Sequence, residues 1–370
     1  MNAVFSGLNC LATSRPGSDC RPPEYRCATD QYVVGGASAI FLVIDSMARA
    51  SPDSGAAGSV IASGGNRMIA RRNDFAVFLV VVFGLSWLFA LWPWIGDKKV
   101  PSVFVSSAAV WMMLTPTLAV LALWWYRRRS MPELVAETGL MLGSRPRRTV
   151  WLIVAAWFGP AAFVWSALGV SVLLGVNEFD FSLGVDWTVL IILEALVGST
   201  LAALPLALGE ELGWRGWLQP QLTGRFGIAL GLVATGVIWG LWHAPLTLRG
   251  YNYPELGAWA AAVFVVTCVF FGLVLGWLRM RSGSVWPCVV AHAALNAHAI
   301  GVSAFGSLDE KPNQLLNGHG GAVGWVLLAI LAAILFLLFP VRGNGHLEQV
   351  GEVGVAGAQR AGGGPGTNLR

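Results

Sequence analysis

The stretch ALPLALGEELGWRGWL, residues 203–218, decides how this chain is interpreted, because three charged side chains close a long apolar run. Two are adjacent carboxylates, Glu210 and Glu211, and the third is the guanidinium of Arg215. A charge near the centre of a bilayer costs about 2.5–3.5 kcal/mol on insertion scales. If the surrounding chain lies in a membrane, some interaction or function must compensate the free-energy cost of these three charges.

Composition indicates that the chain does lie in a membrane. Of its 370 residues 55% are hydrophobic, only 12% are charged and 18 are tryptophan, with a mean hydropathy of +0.63. These values are typical of a polytopic membrane protein and not of a soluble domain. Apolar runs of about 18–25 residues are long enough to cross a bilayer as helices, whereas transmembrane strands need short alternating segments. We predict an all-α bundle of about eight transmembrane helices, over 75–95, 104–126, 151–175, 188–209, 226–246, 257–278, 284–304 and 322–340.

The distribution of basic residues predicts the orientation, since short cytoplasmic loops collect Lys and Arg. With the start of the first span inside, the cytoplasmic loops carry Arg71, Arg72, Arg127, Arg128, Arg129, Arg145, Arg147, Arg148, Arg225, Arg279, Arg281 and Arg342. The opposite loops carry only Lys98, Lys99, Arg249 and Lys311, and the loop 177–186 is acidic. Both termini are therefore predicted to be cytoplasmic. Topology accounts for the net charge of +4, so no nucleic-acid partner is expected.

The ends of the chain differ from its middle. Residues 1–67 are rich in Gly, Ala, Ser and Pro and predict a disordered extension. Residues 68–342 form the predicted transmembrane domain, with the chemical motifs in 188–304, and 343–370 predict a flexible tail. Met68 followed by IARRNDFAVFLVV is typical of the start of a membrane protein, so we expect translation to begin there.

Within the spans, the first polar group is EELGWR. Glu211 and Arg215 stand four residues apart, so they share a helix face and are suited to an ion pair. Glu210 is rotated by about 100° from Glu211 and is left without a local partner, as a candidate general base. The alternative is that the charges only mark a helix end at the cytoplasmic interface.

Two further groups lie in later spans. His243 follows Trp239 by one helical turn, and His292 and Asn296 are spaced i, i+4, so they point the same way. A membrane His or Asn can also serve only as a structural hydrogen-bonding group between helices. Together the three groups supply a carboxylate and an imidazole to activate water, and an imidazole and a carboxamide to stabilise an oxyanion.

The depth of these groups constrains the helix map. If the fourth span ended at residue 209, Glu210 would lie at the interface while His243 lay about 25 Å deep, at 1.5 Å per residue. The two side chains could not then meet. We therefore predict a single helix from about 190 to 218, with no break at 208–211.

The order EExxxR, aromatic-xxx-His and HxxxN resembles the CPBP family, which includes the type II CAAX prenyl proteases and bacteriocin-processing enzymes. The motifs are Glu210–Glu211–Arg215, Trp239–His243 and His292–Asn296, although Trp239 stands where the family more often has Phe. The similarity covers about residues 75–340. It implies an eight-helix intramembrane endopeptidase whose cavity opens to the membrane and the cytosol.

The resemblance also implies roles for the motif residues. Glu210 and His243 would activate water, His292 and Asn296 would hold the oxyanion, and Glu211, Arg215 and Trp239 would support the site. No cofactor is expected, because no HExxH is present and Asn is a poor zinc ligand, but a zinc-dependent variant using Glu210, His243 and His292 is the alternative.

Other functions remain open at this stage. A non-catalytic membrane scaffold or immunity protein could use the same fold. A transporter is disfavoured, since no inverted repeat or pair of broken helices is visible in the sequence. The expected partners are the lipid bilayer and a peptide or lipidated protein substrate, and the expected location is the plasma membrane, as a multi-pass protein. The sequence leaves the oligomeric state and the identity of the substrate open.

Overall fold

A computed structural model describes residues 72–91, 102–178, 180, 182, 184–305 and 313–341, and the described residues are helical, with no strand. The predicted extension 1–67 and the tail 343–370 lie outside them. The helices are α1 Arg72–Leu91, α2 Ser102–Tyr126, α3 Met131–Thr138, α4 Pro146–Leu173, α5 Gly184–Leu193, α6 Thr200–Glu211, α7 Gln219–Trp242, α8 Ala244–Thr247, α9 Ala260–Ser282, α10 Trp286–Val302 and α11 Ala322–Leu338. Short 3₁₀ turns occupy Gly257–Trp259 and Ser303–Phe305.

The predicted fold class, an all-α membrane bundle, is confirmed. Six helical stretches in the described part of the chain are long and apolar enough to cross a membrane, and Ala322–Leu338 is a shorter apolar helix. One of the six, Gly184–Trp242, is 59 residues long, which is far more than a single crossing needs. The number of crossings therefore depends on the path of this stretch.

The long stretch folds back on itself. The indole nitrogen Nε1 of Trp239 lies 2.7 Å from Oε2 of Glu210, 29 residues earlier. In a straight helix those residues would be about 44 Å apart, at 1.5 Å per residue. The chain must therefore reverse between them, and Gly227 is the residue inside α7 whose backbone is not helical.

Gly227 can make this reversal because of its backbone angles. Its φ of 77° and ψ of 171° lie in a region that is essentially restricted to glycine. Residues 184–226 and 228–242 thus form the two arms of a helical hairpin. Glu210 and His243 lie 17 and 16 residues from Gly227, so both are about 25 Å from the turn along their arms.

The hairpin confirms one expectation and corrects its boundary. The chain is helical without interruption through 190–218, and no break occurs at 208–211. The helix does not end at 218, however, but continues to Phe226 before the turn. These two extra turns bring Glu210 to the depth of His243. Two segments, Glu194–Ser199 and Leu212–Leu218, are π-helical, a form that often marks functional sites.

Glycines allow the helices that carry the motifs to approach their neighbours. A Cβ on Gly213 would lie 2.3 Å from Cβ of Pro116 in α2, and a Cβ on Gly209 would lie 2.6 Å from the carbonyl oxygen of Met113. In the second arm, a Cβ on Gly240 would lie 2.5 Å from Cα of Val265 in α9. Such small-xxx-small contacts are typical of packed membrane helices.

The loops gather at two opposite ends of the bundle. At one end, called the basic end, Arg127 pairs with Asp74 and Nε of Arg279 donates to the carbonyl oxygen of Arg215 over 3.0 Å. This end holds the residues Arg127, Arg129, Arg145, Arg147, Arg148, Arg225, Arg279 and Arg281. At the other end, the amide of Asp180 donates to the carbonyl of Phe305 over 3.1 Å, and the hydroxyl of Tyr253 donates to the carbonyl of Gly320 over 2.8 Å.

Candidate active site

The predicted ion pair between Glu211 and Arg215 is present and fully buried. Nη1 of Arg215 lies 2.8 Å from Oε1 of Glu211, and both side chains have 0% of their surface exposed. The same carboxylate oxygen accepts a second hydrogen bond, over 2.8 Å, from Nδ1 of His292 in α10. Glu211 thus joins the first motif to the third, and the bond leaves Nε2 of His292 for another partner.

Glu210 does have partners, contrary to the expectation that it lacks a local one. Its Oε2 accepts hydrogen bonds from two indoles, Nε1 of Trp239 over 2.7 Å and Nε1 of Trp214 over 3.2 Å. Trp214 stands four residues after Glu210, so the same i, i+4 spacing that pairs Glu211 with Arg215 also pairs Glu210 with Trp214. Both indole bonds reach one carboxylate oxygen, and Oε1 remains for a further ligand.

Trp239 lies at the centre of the site and contacts every motif. The guanidinium carbon of Arg215 is 4.2 Å from the centre of the indole ring, a cation–π contact. The ring of His292 meets the same indole edge to face, with centroids 5.4 Å apart. The carbonyl oxygen of Trp239 accepts a bond from Nδ1 of His243 over 2.9 Å, which leaves Nε2 of His243 as a proton acceptor.

Four of the predicted residues, Glu210, His243, His292 and Asn296, line one cavity of about 570 Å³. Trp239 lines it as well, whereas Glu211 and Arg215 lie behind the wall. The remaining lining is mostly apolar, from Met112, Met113, Trp242, Leu246, Phe264 and Phe271 among others. The structure therefore brings the three motifs, which come from separate spans, to one cavity with room for both water and a peptide.

Sequence reasoning missed several lining residues because they lie in loops. His319 lies in the loop before α11 and lines the cavity together with Tyr251, Asn252 and Asn317. Burial lowers the pKa of His319 to about 4, so its imidazole is neutral at physiological pH. Nothing in the sequence pattern places these loops over the spans. His298 of α10 is not among the residues that line the cavity; it is buried beside Trp165, 3.4 Å from its indole nitrogen.

A metal ion would need several donor side chains that converge on one point. Zinc sites take three or four His, Cys or carboxylate ligands around one ion. Among the residues that the structure describes, no group of three or more His, Cys, Asp or Glu side chains is arranged to hold a metal ion. Nδ1 of each site histidine is already engaged, by Glu211 in one case and by a backbone carbonyl in the other.

Comparison with known proteins bears on the same segment. Residues 188–298 match the model of the type II CAAX prenyl endopeptidase Rce1-like family. The chain is similar to CAAX prenyl protease 2 of Methanococcus maripaludis, with 26% identity over 126 residues, which is 33% of this chain and 45% of that protein. The chain thus spans less than half of the length of this relative.

The matched segment includes the three motifs that carry the resemblance, from Glu210 to Asn296. It also covers most of the two arms of the hairpin, all of α9 and most of α10. Residues 188–298, which hold all three motifs, are therefore similar to the Rce1-like family.

Proposed function

We propose that the chain is an intramembrane endopeptidase that hydrolyses a peptide bond of a membrane-associated substrate. One observation carries the proposal: Glu210 is anchored by two indoles at the wall of a cavity that His243, His292 and Asn296 also line. The names of the matched family and of its archaeal relative agree with a peptide hydrolase.

The proposed reaction begins with water bound between Glu210 and His243. The indoles fix Oε2 of Glu210, so Oε1 accepts a proton from the water as its oxygen attacks the carbonyl carbon of the substrate. Nε2 of His243 orients the water by accepting a hydrogen bond from its other O–H group. The product of this step is a tetrahedral oxyanion and a protonated Glu210. When the C–N bond breaks, Glu210 returns the proton to the leaving amine, which releases a new carboxyl group and a new amine.

The oxyanion needs donors that are in place before it forms. Asn296 supplies an amide N–H₂, and Nε2 of His292 supplies a second donor. In this role His292 carries both of its ring protons, one donated to Glu211 and the other to the oxyanion. The pair formed by Glu211 and Arg215 is thus a positioning device, because it holds His292 from behind the cavity wall.

The substrate class follows from the surroundings of the site. The deep cavity is apolar and the site lies inside the bundle, so a membrane-embedded or lipidated polypeptide fits better than a soluble one. A prenylated CAAX-like protein is one such substrate, as the name of the relative suggests. An unprenylated membrane-anchored peptide is another.

A cleavage assay separates the three possible functions. Protein reconstituted in liposomes is mixed with membrane-anchored, internally quenched peptides, with and without a chelator. We expect cleavage that the chelator leaves unchanged, because the proposed chemistry needs only the side chains of the chain. Loss with the chelator and recovery with zinc would establish the zinc-dependent alternative. Absence of cleavage for the whole panel would favour a scaffold or immunity protein.

A second prediction concerns the hydrogen bond that the indole of Trp239 donates to Glu210. Trp239→Phe keeps the aromatic ring near Arg215 and His292 but removes the donor to Oε2 of Glu210. A hydrogen bond to a charged group contributes about 1.5–3 kcal/mol, so we expect kcat to fall at least about tenfold with KM nearly unchanged. Steady-state kinetics on the reconstituted protein measures both constants.

The matched control is Trp277→Phe. Trp277 also donates its indole N–H, to the carbonyl of Phe339 over 3.0 Å, but it does so outside the cavity. This variant should keep its kcat. An equal loss in the two variants would mean that the effect is a general cost of removing a buried indole donor.

A further inference from the structure

Trp242 bears on both members of the pair that is proposed to activate water. Its indole meets the imidazole of His243 edge to face, with ring centroids 4.5 Å apart. The same indole meets that of Trp214 edge to face, with centroids 5.6 Å apart, and Trp214 donates to the carboxylate of Glu210. Trp242 is 1% exposed and lines the cavity. The orientation of this one indole therefore affects both groups.

A chain of hydrogen bonds from α1 and α2 holds the Trp242 indole. Its Nε1–H donates to the hydroxyl of Ser86 in α1, and that hydroxyl bonds to the hydroxyl of Thr115 in α2. The hydroxyl of Thr115 donates in turn to the carbonyl oxygen of Met112 over 2.8 Å. Ser86 and Thr115 are both 0% exposed, so bulk water does not compete for these bonds.

The direction of this chain follows from its two ends. An indole N–H can only donate, and a backbone carbonyl can only accept. Since the hydroxyl of Thr115 gives its proton to Met112, the hydroxyl of Ser86 must give its own proton to Thr115. All three donors thus run one way, from Trp242 to Met112, and aligned buried bonds of this kind strengthen one another. Removal of either hydroxyl interrupts the chain.

A proline supplies the carbonyl at which the chain ends. Pro116 lies inside α2 and has no N–H, so the carbonyl of Met112, four residues earlier, lacks its usual helical donor. The hydroxyl of Thr115, the residue before the proline, bonds to that carbonyl instead. Because Met112 is only 1% exposed, an unpaired carbonyl there would be costly. The gap that Pro116 leaves in α2 therefore fixes the hydroxyl of Thr115.

A second contact from α1 holds the backbone of Trp242. The indole nitrogen of Trp87, the residue after Ser86, donates to the carbonyl oxygen of Trp242 over 3.3 Å. That carbonyl is free because α7 ends there. The amide of Leu246, which would reach it in a continuous helix, donates to the carbonyl of His243 over 3.0 Å. Two adjacent residues of α1 thus hold both the side chain and the backbone of Trp242, directly before His243.

We propose that Ser86 and Thr115 are positioning residues of the active site. Through Trp242 they fix the ring of His243 and the indole of Trp214, so the two groups that activate water keep their relative geometry. A displacement of about 1 Å can cost about 10²-fold in rate, even when its cause lies far from the reacting atoms. The effect on cleavage rests on the proposed protease function, whereas the ordering of Trp242 does not.

Steady-state kinetics of Thr115→Val tests this role. The variant keeps the shape of the side chain but removes the hydroxyl. We expect kcat to fall about tenfold with KM nearly unchanged, because Thr115 does not line the cavity. Thr115→Ser, which keeps the hydroxyl, should restore most of the rate. Retention of the full kcat by Thr115→Val would overturn the proposal and leave the protease function standing.

The matched control is Thr138→Val. Thr138 is also 0% exposed, and its hydroxyl donates to the carbonyl of Leu134 over 2.7 Å, but it does not line the cavity or contact Trp242. This variant should keep its kcat. An equal loss in Thr138→Val and Thr115→Val would show a general cost of removing a buried hydroxyl, against the proposal.

A double-mutant cycle shows whether the effect passes through Trp242. In the unaltered protein Ser86→Ala should lower kcat about tenfold. Trp242→Phe removes the N–H with which the chain begins, so in that background Ser86→Ala should change kcat by less than about twofold. The same loss in both backgrounds would mean that the Ser86 hydroxyl acts through packing alone, which would overturn the proposal.

The ¹⁹F spectrum of protein labelled with 5-fluorotryptophan gives a readout that needs no activity. The resonance of Trp242 is assigned by its absence from Trp242→Phe. We expect Thr115→Val to shift or broaden this resonance, although the Thr115 hydroxyl donates to Met112 and not to the indole. Thr115→Ser and Thr138→Val should leave it in place.

The two kinds of measurement separate the possible failures. An unchanged Trp242 resonance in Thr115→Val would overturn the proposal, whether or not the protein cleaves peptides. If the resonance changes as expected but the unaltered protein cleaves no peptide, the protease function fails while the ordering of Trp242 by Ser86 and Thr115 stands.

Discussion

Glu210→Gln is expected to lower the rate of peptide cleavage by about 10³-fold without unfolding the protein. General-base catalysis typically contributes 10²–10⁴-fold, and the amide of Gln cannot take a proton from water. The variant keeps the shape of the side chain, and its amide oxygen can still accept from Trp214 and Trp239. The rate is measured with the reconstituted protein and a quenched peptide, and the thermal midpoint in detergent shows whether the fold is kept.

The matched control for this variant is Glu194→Gln. Glu194 lies on the same arm of the hairpin, but it is exposed and does not line the cavity. Its replacement should leave the rate within about twofold of that of the unaltered protein. If Glu210→Gln retained more than a tenth of the original rate, Glu210 would not be the general base. Retention by His243→Ala as well would show that neither residue of the proposed pair activates the water.

Arg215→Met is expected to cause the largest loss of stability. It leaves the Glu211 carboxylate buried beside His292 without its guanidinium partner. Breaking a buried ion pair from one side typically costs about 3–5 kcal/mol, because the remaining charge is desolvated and uncompensated. The variant also loses the cation–π contact with Trp239. Thermal unfolding in detergent should show a clearly lower midpoint.

The double variant Glu211→Gln with Arg215→Met separates pairing from packing. Since it removes both charges, it should be more stable than the sum of the two single effects predicts, with a coupling energy of at least about 1 kcal/mol. Arg147→Met, an exposed arginine at the basic end, is the control and should change the midpoint little. Strict additivity of the two single variants would show that Glu211 and Arg215 do not act as a stabilising pair.

Much of the site could be predicted from local spacing. The i, i+4 relation places Glu211 next to Arg215 in any helix, and the structure shows this pair. The same rule applied to Glu210 would have found Trp214, but the expectation there considered only charged partners. The continuity of the helix through 208–211 was predicted correctly, because Glu210 and His243 had to meet.

The turn that ends this helix could not be placed as accurately. Hydropathy continues almost unbroken from residue 184 to 242, so it predicts apolar helix without showing where the chain reverses. The reversal at Gly227 depends on one backbone conformation that only glycine adopts readily. The predicted end at 218 was therefore eight residues short.

The sequence by itself determined the membrane environment, the helical class and the candidate residues of the site, since length, hydropathy and helical spacing are local properties. Only the tertiary structure decided that Trp239 anchors Glu210 and that Glu211 holds His292. It also decided that His319 and the neighbouring loop residues complete the lining of the cavity. These contacts join residues separated by 29 to more than 80 positions. They depend on how close-packed glycines set the helices against each other, and helical periodicity contains no information about that.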